Sequence, residues 1–136
     1  MTPLVAEPVV RNVDTPHGPA RVTVHPAVDA VAVLLLGHGA GGGFGAPDLR
    51  TATTAAIAAG IHVAQVEQPY RVAGRRAPAP AAQLDAAWLA VVAAVRAALP
   101  GLPVIVGGRS SGARVACRTA SAVGAVAVLC LAFPVH

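Results

Sequence analysis

Four short apolar segments, separated by segments with helical spacing, most constrain how this chain can fold. The apolar segments run over residues 30–36, 61–66, 103–106 and 125–132. Their short length and mostly apolar character, which His62 and Gln65 interrupt in the second segment, are typical of strands that are buried on both faces. Helical periodicity marks the segments between them, at residues 47–60, 84–99 and 111–123. Strands that alternate with helices form βαβ units, so the sequence predicts a mostly parallel sheet in a three-layer α/β architecture.

The remaining segments are less regular. Residues 1–20 are punctuated by proline and predict an edge hairpin or a loose lead-in. Residues 21–25 alternate in polarity, which predicts a half-buried strand, whereas the polar, proline-rich residues 68–80 predict a loop. With 136 residues the chain has the length of one domain at most, and we interpret residues 1–136 as a single domain.

The charged residues do not favour a nucleic-acid partner. The net charge is +4 and all ten basic residues are arginine. Arg71, Arg75 and Arg76 form one cluster, but aromatic residues make up only 3% of the chain and do not interleave with the basic ones. Nucleic-acid-binding surfaces use such aromatics for base stacking. We therefore expect no nucleic-acid partner.

Three further features bear on compartment and cofactors. No uninterrupted apolar run approaches the roughly 18 to 20 residues of a membrane span, and the N-terminus has no secretory pattern. These absences predict a cytoplasmic protein without a membrane partner. Cys117 and Cys130 lie within apolar periodic segments, which is typical of buried free thiols. No group of residues has the spacing of a metal site, so we expect no metal and no cofactor.

The sharpest motif is Gly-x-Ser-x-Gly, formed by Gly108, Ser110 and Gly112. It follows a predicted strand and opens a predicted helix, which is the setting of a nucleophile elbow. The tight turn forces the serine into an unfavourable backbone conformation, and the two glycines remove side chains that would collide there. The pattern predicts Ser110 as a nucleophile. The alternative is a glycine-rich turn in which serine only caps the helix, a role that Ser111 can also fill.

A second glycine-rich turn begins at Gly37, and one interpretation of it is dinucleotide binding. Gly37, Gly39 and Gly42 match the dinucleotide fingerprint, and Glu67 lies where a ribose-binding acid belongs. That fingerprint requires a helix to begin inside the motif, whereas the helix-start signal comes only at Pro47.

The other interpretation is a His-Gly-x-Gly loop of a hydrolase. Gly37, His38 and Gly39 would then hold a loop whose Ala40 amide joins the Ser111 amide in an oxyanion hole. We prefer this interpretation because it gives both glycine-rich turns a role in one site. It predicts a serine hydrolase acting on a small-molecule ester, thioester or amide.

Several segments together resemble a known family. Similar segments occur in the α/β-hydrolase family that includes testis-expressed protein 30 and the scaffold subunit of the NSL histone acetyltransferase complex. They are residues 37–42, 68–78, 107–114 and 133–136. The resemblance extends from about residue 30 onward and implies an α/β-hydrolase fold. One departure is Ser111-Gly112-Ala113, where members more often carry Met-Gly-Gly.

A larger departure concerns the catalytic triad. The resemblance implies an acid and a histidine on strands after the nucleophile. No Asp or Glu follows Ser110, and His136 matches a loop histidine of the family. We therefore expect an incomplete, C-terminally truncated hydrolase domain that lacks its last strands and has impaired catalysis. The alternative is a non-catalytic interaction module on the same fold. An unpaired sheet edge would also favour self-association.

Overall fold

A computed structural model of the chain describes residues 7–132. Its strands are β1 (Val9–Val13), β2 (Ala20–His25), β3 (Ala32–Gly37), β4 (Ile61–Glu67), β5 (Val104–Arg109) and β6 (Ala127–Leu131). Its helices are α1 (Pro47–Ala58), α2 (Pro69–Val72), α3 (Ala81–Ala98) and α4 (Ser111–Val123). The strands and helices predicted from periodicity are found with ends shifted by at most three residues. Residues 133–136, which contribute to the family resemblance, lie outside the described residues.

The sheet brings the ends of its central strands together. The strand order is β1-β2-β4-β3-β5-β6. Strand β2 is antiparallel to both β1 and β4, while β3 pairs in parallel with β4 and β5, and β5 with β6. Gly37 at the end of β3 is in register with Gly108 of β5. The loops that follow β3, β4 and β5 therefore meet at one edge of the sheet, where open α/β sheets bind their ligands.

Strand β3 shows how the core divides into two layers. Val33 and Leu35 join an apolar cluster with α3 and α4, whereas Leu34 and Leu36 join a second cluster with α1. Successive side chains of a strand point to opposite faces, so helices cover both faces of the sheet. The predicted three-layer α/β architecture is confirmed.

Helix α3 is the most apolar helix of the core. Among residues 7–132 it is the one helix long and apolar enough to cross a membrane, with a mean hydropathy of 1.3. Its inward face is buried and consists of Leu84, Ala87, Trp88, Val91, Val92 and Val95. A core helix of a globular domain passes the same length and composition test, so this match is weak support for a membrane span.

Two expectations about burial are wrong, one for strand β6 and one for the thiols of Cys117 and Cys130. The apolar run over residues 125–132 predicts a core strand, yet β6 lies at the edge of the described sheet and its side chains are mostly exposed. Cys117 and Cys130 are likewise exposed instead of buried. Cys117 lies on α4 beside Cys130 of β6, and no element within residues 7–132 covers the two side chains. Their Sγ atoms are 3.4 Å apart.

The predicted loop over residues 68–80 contains one helical turn. Pro69 begins α2, because its fixed φ suits the first position of a helix. The turn closes where the Ala73 N–H donates to the Pro69 carbonyl at 2.9 Å. It buries Tyr70 and carries the chain across the edge of the sheet beside the loop that follows β3.

Candidate active site

Ser110 occupies the turn between β5 and α4. Its φ of 56° and ψ of −115° lie in a backbone region that residues other than glycine rarely adopt. Its side chain makes no cap hydrogen bond to the helix, so the capping alternative does not describe it. The turn is held by hydrogen bonds from Ser110 N–H to the Leu131 carbonyl and from Ala113 N–H to the Ser110 carbonyl, both 3.0 Å. A strained residue of this kind persists only where the surrounding structure holds it, and such residues cluster at functional sites.

Three glycines allow the close backbone approach that this turn requires. A β-carbon on Gly108 would lie 2.6 Å from the carbonyl carbon of Gly112. A β-carbon on Gly112 would lie 2.6 Å from the carbonyl oxygen of Gly37. Both distances are below any real contact of a β-carbon, so the ends of β3 and β5 and the first turn of α4 are in direct backbone contact.

The loop over residues 38–46 passes beside Ser110. A β-carbon on Gly39 would lie 3.5 Å from the Ser110 β-carbon, which is ordinary van der Waals distance. Within residues 7–132 neither the Ala40 N–H nor the Ser111 N–H has a hydrogen-bond acceptor. Ser111 is the first residue of α4, where no intrahelical acceptor exists. Amide donors of this kind beside a serine can form an oxyanion hole.

His38 anchors this loop from inside the protein. Its Nε2 accepts a hydrogen bond from the Gln68 N–H at 3.1 Å, so its Nδ1 carries the proton and donates to the Gly39 carbonyl at 2.8 Å. Desolvation by burial lowers the pKa of His38 below its ordinary value of 6.5, which keeps the ring neutral. Phe44 and Tyr70 contact the ring edge-on. His38 therefore fixes the loop and is not placed to act as a base.

Arg109, the residue before Ser110, ties the turn to α1. Its Nε donates to the Asp48 carboxylate at 3.1 Å, and the other oxygen of that carboxylate accepts the Leu49 N–H at 2.8 Å. Both members of the ion pair are more than a third exposed, so its contribution to stability is under about 1 kcal/mol. Its effect is to hold the start of α1 close to the serine turn.

No general base reaches Ser110 within the described residues. The Ser110 hydroxyl has no hydrogen-bond partner in residues 7–132. Both nitrogens of His38 are engaged, and His62 accepts the Ala27 N–H through its Nδ1 at 2.9 Å. His136 lies outside the described residues. The same part of the chain holds no cluster of three or more His, Cys, Asp or Glu side chains that could bind a metal.

The dinucleotide interpretation does not fit this geometry. No helix begins between Gly37 and Gly42, and α1 starts only at Pro47, so no helix N-terminus faces a bound pyrophosphate. Glu67 forms an ion pair with Arg21 at 3.5 Å instead of standing free for a ribose. The dinucleotide alternative is therefore wrong for this turn.

A charged cleft beside the loop is a feature that the sequence motifs do not predict. It has a volume of about 520 Å³ and is lined by Ala40, Gly41, Glu67, Arg71, Gly74, Arg75 and Arg76. The sequence shows the arginine cluster, but only the folded chain shows that α2, which holds Arg71, and the residues that follow it lie on the Gly41 side of the loop. Arg71 lies so close to this loop that a β-carbon on Gly43 would be 2.7 Å from its Nη2.

The strand order, the helices on both faces and the serine turn between β5 and α4 define the α/β-hydrolase fold. A family model of the alpha/beta hydrolase domain matches residues 30–136, which is well over half of the chain. The chain belongs to this family. A comparison with functionally curated proteins found no significant match.

Solved structures show the same fold. An α/β serine hydrolase without a lid from Xanthomonas campestris matches with a TM-score of 0.78 and 26% identity over 98% of this chain and 65% of that one. A serine hydrolase homologue from Coxiella burnetii matches with a TM-score of 0.80 and 16% identity, over 99% and 66%. Dienelactone hydrolase from Anabaena variabilis matches with a TM-score of 0.76 and 15% identity, over 91% and 62%. The chain thus spans about two thirds of the length of these proteins.

Proposed function

We propose that this chain carries the nucleophile and the oxyanion hole of a serine hydrolase that cleaves a small-molecule ester, thioester or amide. The observation that carries the proposal is Ser110, whose φ of 56° holds a hydroxyl without a hydrogen-bond partner in residues 7–132 at the strand-to-helix turn. The serine hydrolase and the dienelactone hydrolase among the matching structures support a hydrolase.

In the proposed reaction, Ser110 Oγ attacks the carbonyl carbon of the substrate. The carbonyl oxygen becomes an oxyanion, which the amides of Ala40 and Ser111 stabilise by hydrogen bonds that strengthen as charge develops. The proton of the Ser110 hydroxyl passes to solvent, or to a base that a longer form of the chain supplies. Collapse of the tetrahedral intermediate then breaks the C–O, C–S or C–N bond, the leaving alcohol, thiol or amine takes up one proton from the same source, and the acyl group stays on Ser110. Water then attacks this acyl-enzyme and releases the acid.

We expect the 136-residue chain alone to react slowly. A serine is a weak nucleophile without a base, and no Asp or Glu follows Ser110 in these 136 residues. Hydrolases that lose triad members keep about 10³- to 10⁴-fold acceleration over water, from the oxyanion hole and from binding. A longer form of the chain that supplies an acid and a histidine is expected to react far faster.

The test is labelling of the chain with a fluorophosphonate probe, read as the labelled residue by mass spectrometry. We expect slow label on Ser110 in the unmodified 136-residue protein, faster label in a longer natural form of the chain, and none in Ser110→Ala. Ser111→Ala is the matched control, because it keeps the backbone amide that the oxyanion hole needs and removes only a neighbouring hydroxyl. Label that persists in Ser110→Ala would overturn the nucleophile assignment.

We also propose that the chain lies close to the group that includes testis-expressed protein 30 and the NSL scaffold subunit. The support is the resemblance over residues 37–42, 68–78 and 107–114. That group contains scaffold members, so an interaction module is the second candidate function. It would be favoured if Ser110 of the folded protein resists the probe both in these 136 residues and in a longer natural form of the chain.

A further inference from the structure

We propose that the cleft of Arg71, Arg75 and Arg76 binds an anionic group of the substrate, a carboxylate or a phosphate, and so selects negatively charged esters or amides. This inference rests on the proposed function, since it assigns the substrate class of the same site. It concerns three arginines that the nucleophile and the oxyanion hole do not use.

The position of the cleft connects it to the reaction. Ala40, whose amide is a proposed oxyanion donor, also lines the cleft. A substrate whose carbonyl oxygen reaches the Ala40 N–H therefore extends into or past the space that the arginines surround. At about 520 Å³, the cleft has the volume of a small-molecule binding site.

The charges in the cleft are unbalanced. Three guanidinium groups and one carboxylate, that of Glu67, line it. The Glu67 carboxylate already pairs with Arg21 at 3.5 Å on strand β2. Within residues 7–132 none of Arg71, Arg75 and Arg76 forms an ion pair with an acidic side chain. The cleft therefore presents positive charge that no described residue neutralises.

Arg71 lies closer to the loop after β3 than a freely solvated arginine would. It is half-buried, and its guanidinium lies against Gly43, where a β-carbon would be 2.7 Å from Nη2 and 3.4 Å from Cζ. The helical turn of α2 fixes its backbone through hydrogen bonds to Gln68 and from Gly74, both 3.0 Å. The backbone of α2 thus places the Arg71 guanidinium beside the loop that follows β3, and its planar fork suits the two-oxygen geometry of carboxylate and phosphate.

The first experiment compares two fluorophosphonate probes of equal length, one ending in a carboxylate and the other in a neutral carboxamide. We expect the carboxylate probe to label Ser110 about tenfold faster, because one charge-assisted hydrogen bond to an arginine should raise the rate by that factor. In Arg71→Gln/Arg76→Gln the two rates should become equal. Arg50→Gln/Arg96→Gln is the matched control, because it removes the same charge from α1 and α3, outside the cleft, and should keep the preference.

The second experiment measures binding without chemistry. Succinate and inorganic phosphate are titrated into Ser110→Ala by calorimetry, and the two ligands distinguish a carboxylate site from a phosphate site. We expect one of them to bind, and to bind at least about tenfold more weakly in the Arg71→Gln/Arg76→Gln background. Circular dichroism of each variant establishes that it is folded.

The outcomes separate the two proposals. Equal rates for the two probes, with label still confined to Ser110, would overturn the anionic-substrate proposal and leave the hydrolase proposal standing. Absence of label on Ser110, both in these 136 residues and in a longer natural form of the chain, together with arginine-dependent binding of succinate or phosphate, would overturn the hydrolase proposal and support the cleft as an anion site. Binding that is unchanged in the arginine variant would overturn the cleft proposal directly.

Discussion

Gly112 and Gly37 are in direct backbone contact, since a β-carbon on Gly112 would lie 2.6 Å from the Gly37 carbonyl oxygen and 2.7 Å from its carbonyl carbon. The contact joins the first turn of α4 to the end of β3. It brings the serine turn and the loop after β3 close enough to form one site. Because the neighbours are backbone atoms, no side-chain movement can relieve a larger residue here.

Gly112→Ala is therefore expected to destabilise the protein by about 2 kcal/mol, since overpacking a tight contact outweighs the better helix propensity of alanine. The measurement is the free energy of unfolding from urea titration. Gly41→Ala is the control, because nothing lies within 4 Å of a β-carbon there, and its effect should stay within about 0.5 kcal/mol. Equal stability of the two variants would contradict the close contact.

Ser110→Gly is expected to stabilise the protein while it removes the proposed nucleophile. Glycine adopts a φ of 56° without steric strain, and relief of that strain should add about 1 kcal/mol to the free energy of unfolding. The comparison is with Ser110→Ala, which also lacks the hydroxyl but keeps the β-carbon and the strain. If both variants have the same urea midpoint, the backbone at this position is not strained.

Stability is expected to fall as the pH drops below about 6.5, and His38 should cause part of this loss. Burial lowers the pKa of His38 in the folded protein below 6.5, so the unfolded chain takes up a proton that the folded chain does not. The contribution of neutral His38 to the free energy of unfolding is complete above pH 6.5. It is lost as the pH falls from there through the lower pKa that His38 has in the folded protein.

The measurement is the urea midpoint between about pH 7.5 and pH 5. His38→Gln should be less stable overall, because it loses the ring contacts, and its midpoint should depend less on pH. His17→Asn is the control, since His17 is exposed and makes no ring contact with the site. A pH dependence in His38→Gln identical to that of the unmodified protein would refute this role.

Cys117 and Cys130 are expected to form an intramolecular disulfide when the protein is treated with diamide, which accepts the two hydrogen atoms released. Their Sγ atoms are 3.4 Å apart and both residues are exposed, so a small rotation brings them to the bonding distance of about 2.0 Å. The product should be lighter by about 2 Da than the reduced protein, and the short loop should make it more stable by up to about 3 kcal/mol.

Cys117→Ser and Cys130→Ser serve as controls, because each leaves one thiol that can react only between molecules. Their treatment should yield no loss of mass in the monomer. If the unmodified protein forms covalent dimers and the mass of its monomer does not change, Cys117 and Cys130 of one molecule are not neighbours as the structure places them.

The local features of this protein are predictable from sequence. The helical spacing of Leu84, Trp88 and Val95 predicts α3, and their side chains are buried in the core. Glycine at positions 108 and 112 around Ser110 predicts the tight turn, because only residues without a side chain fit there. Such signals lie within one element, or within the few residues that join two elements, so no knowledge of distant contacts is needed.

Other features depend on contacts between distant segments. The apolar run around Cys130 predicts a buried thiol, but its burial depends on which elements cover β6. Arg71, Arg75 and Arg76 form a cluster in the sequence, yet their position beside Ala40 depends on where α2 crosses the edge of the sheet. The loop motif includes His38, but the hydrogen bond of this residue to Gln68 joins positions far apart in the chain.

The sequence by itself determined the alternation of strands and helices, the mostly parallel sheet and the serine at a strand-to-helix turn, because periodicity and glycine act through local backbone sterics. Only the tertiary structure decided that the arginines of residues 71–76 lie at the same edge of the sheet as the loop after β3 and the turn at Ser110. The reason is register: the pairing of Gly37 with Gly108 aligns the strand ends, and loops that are remote in sequence then become neighbours.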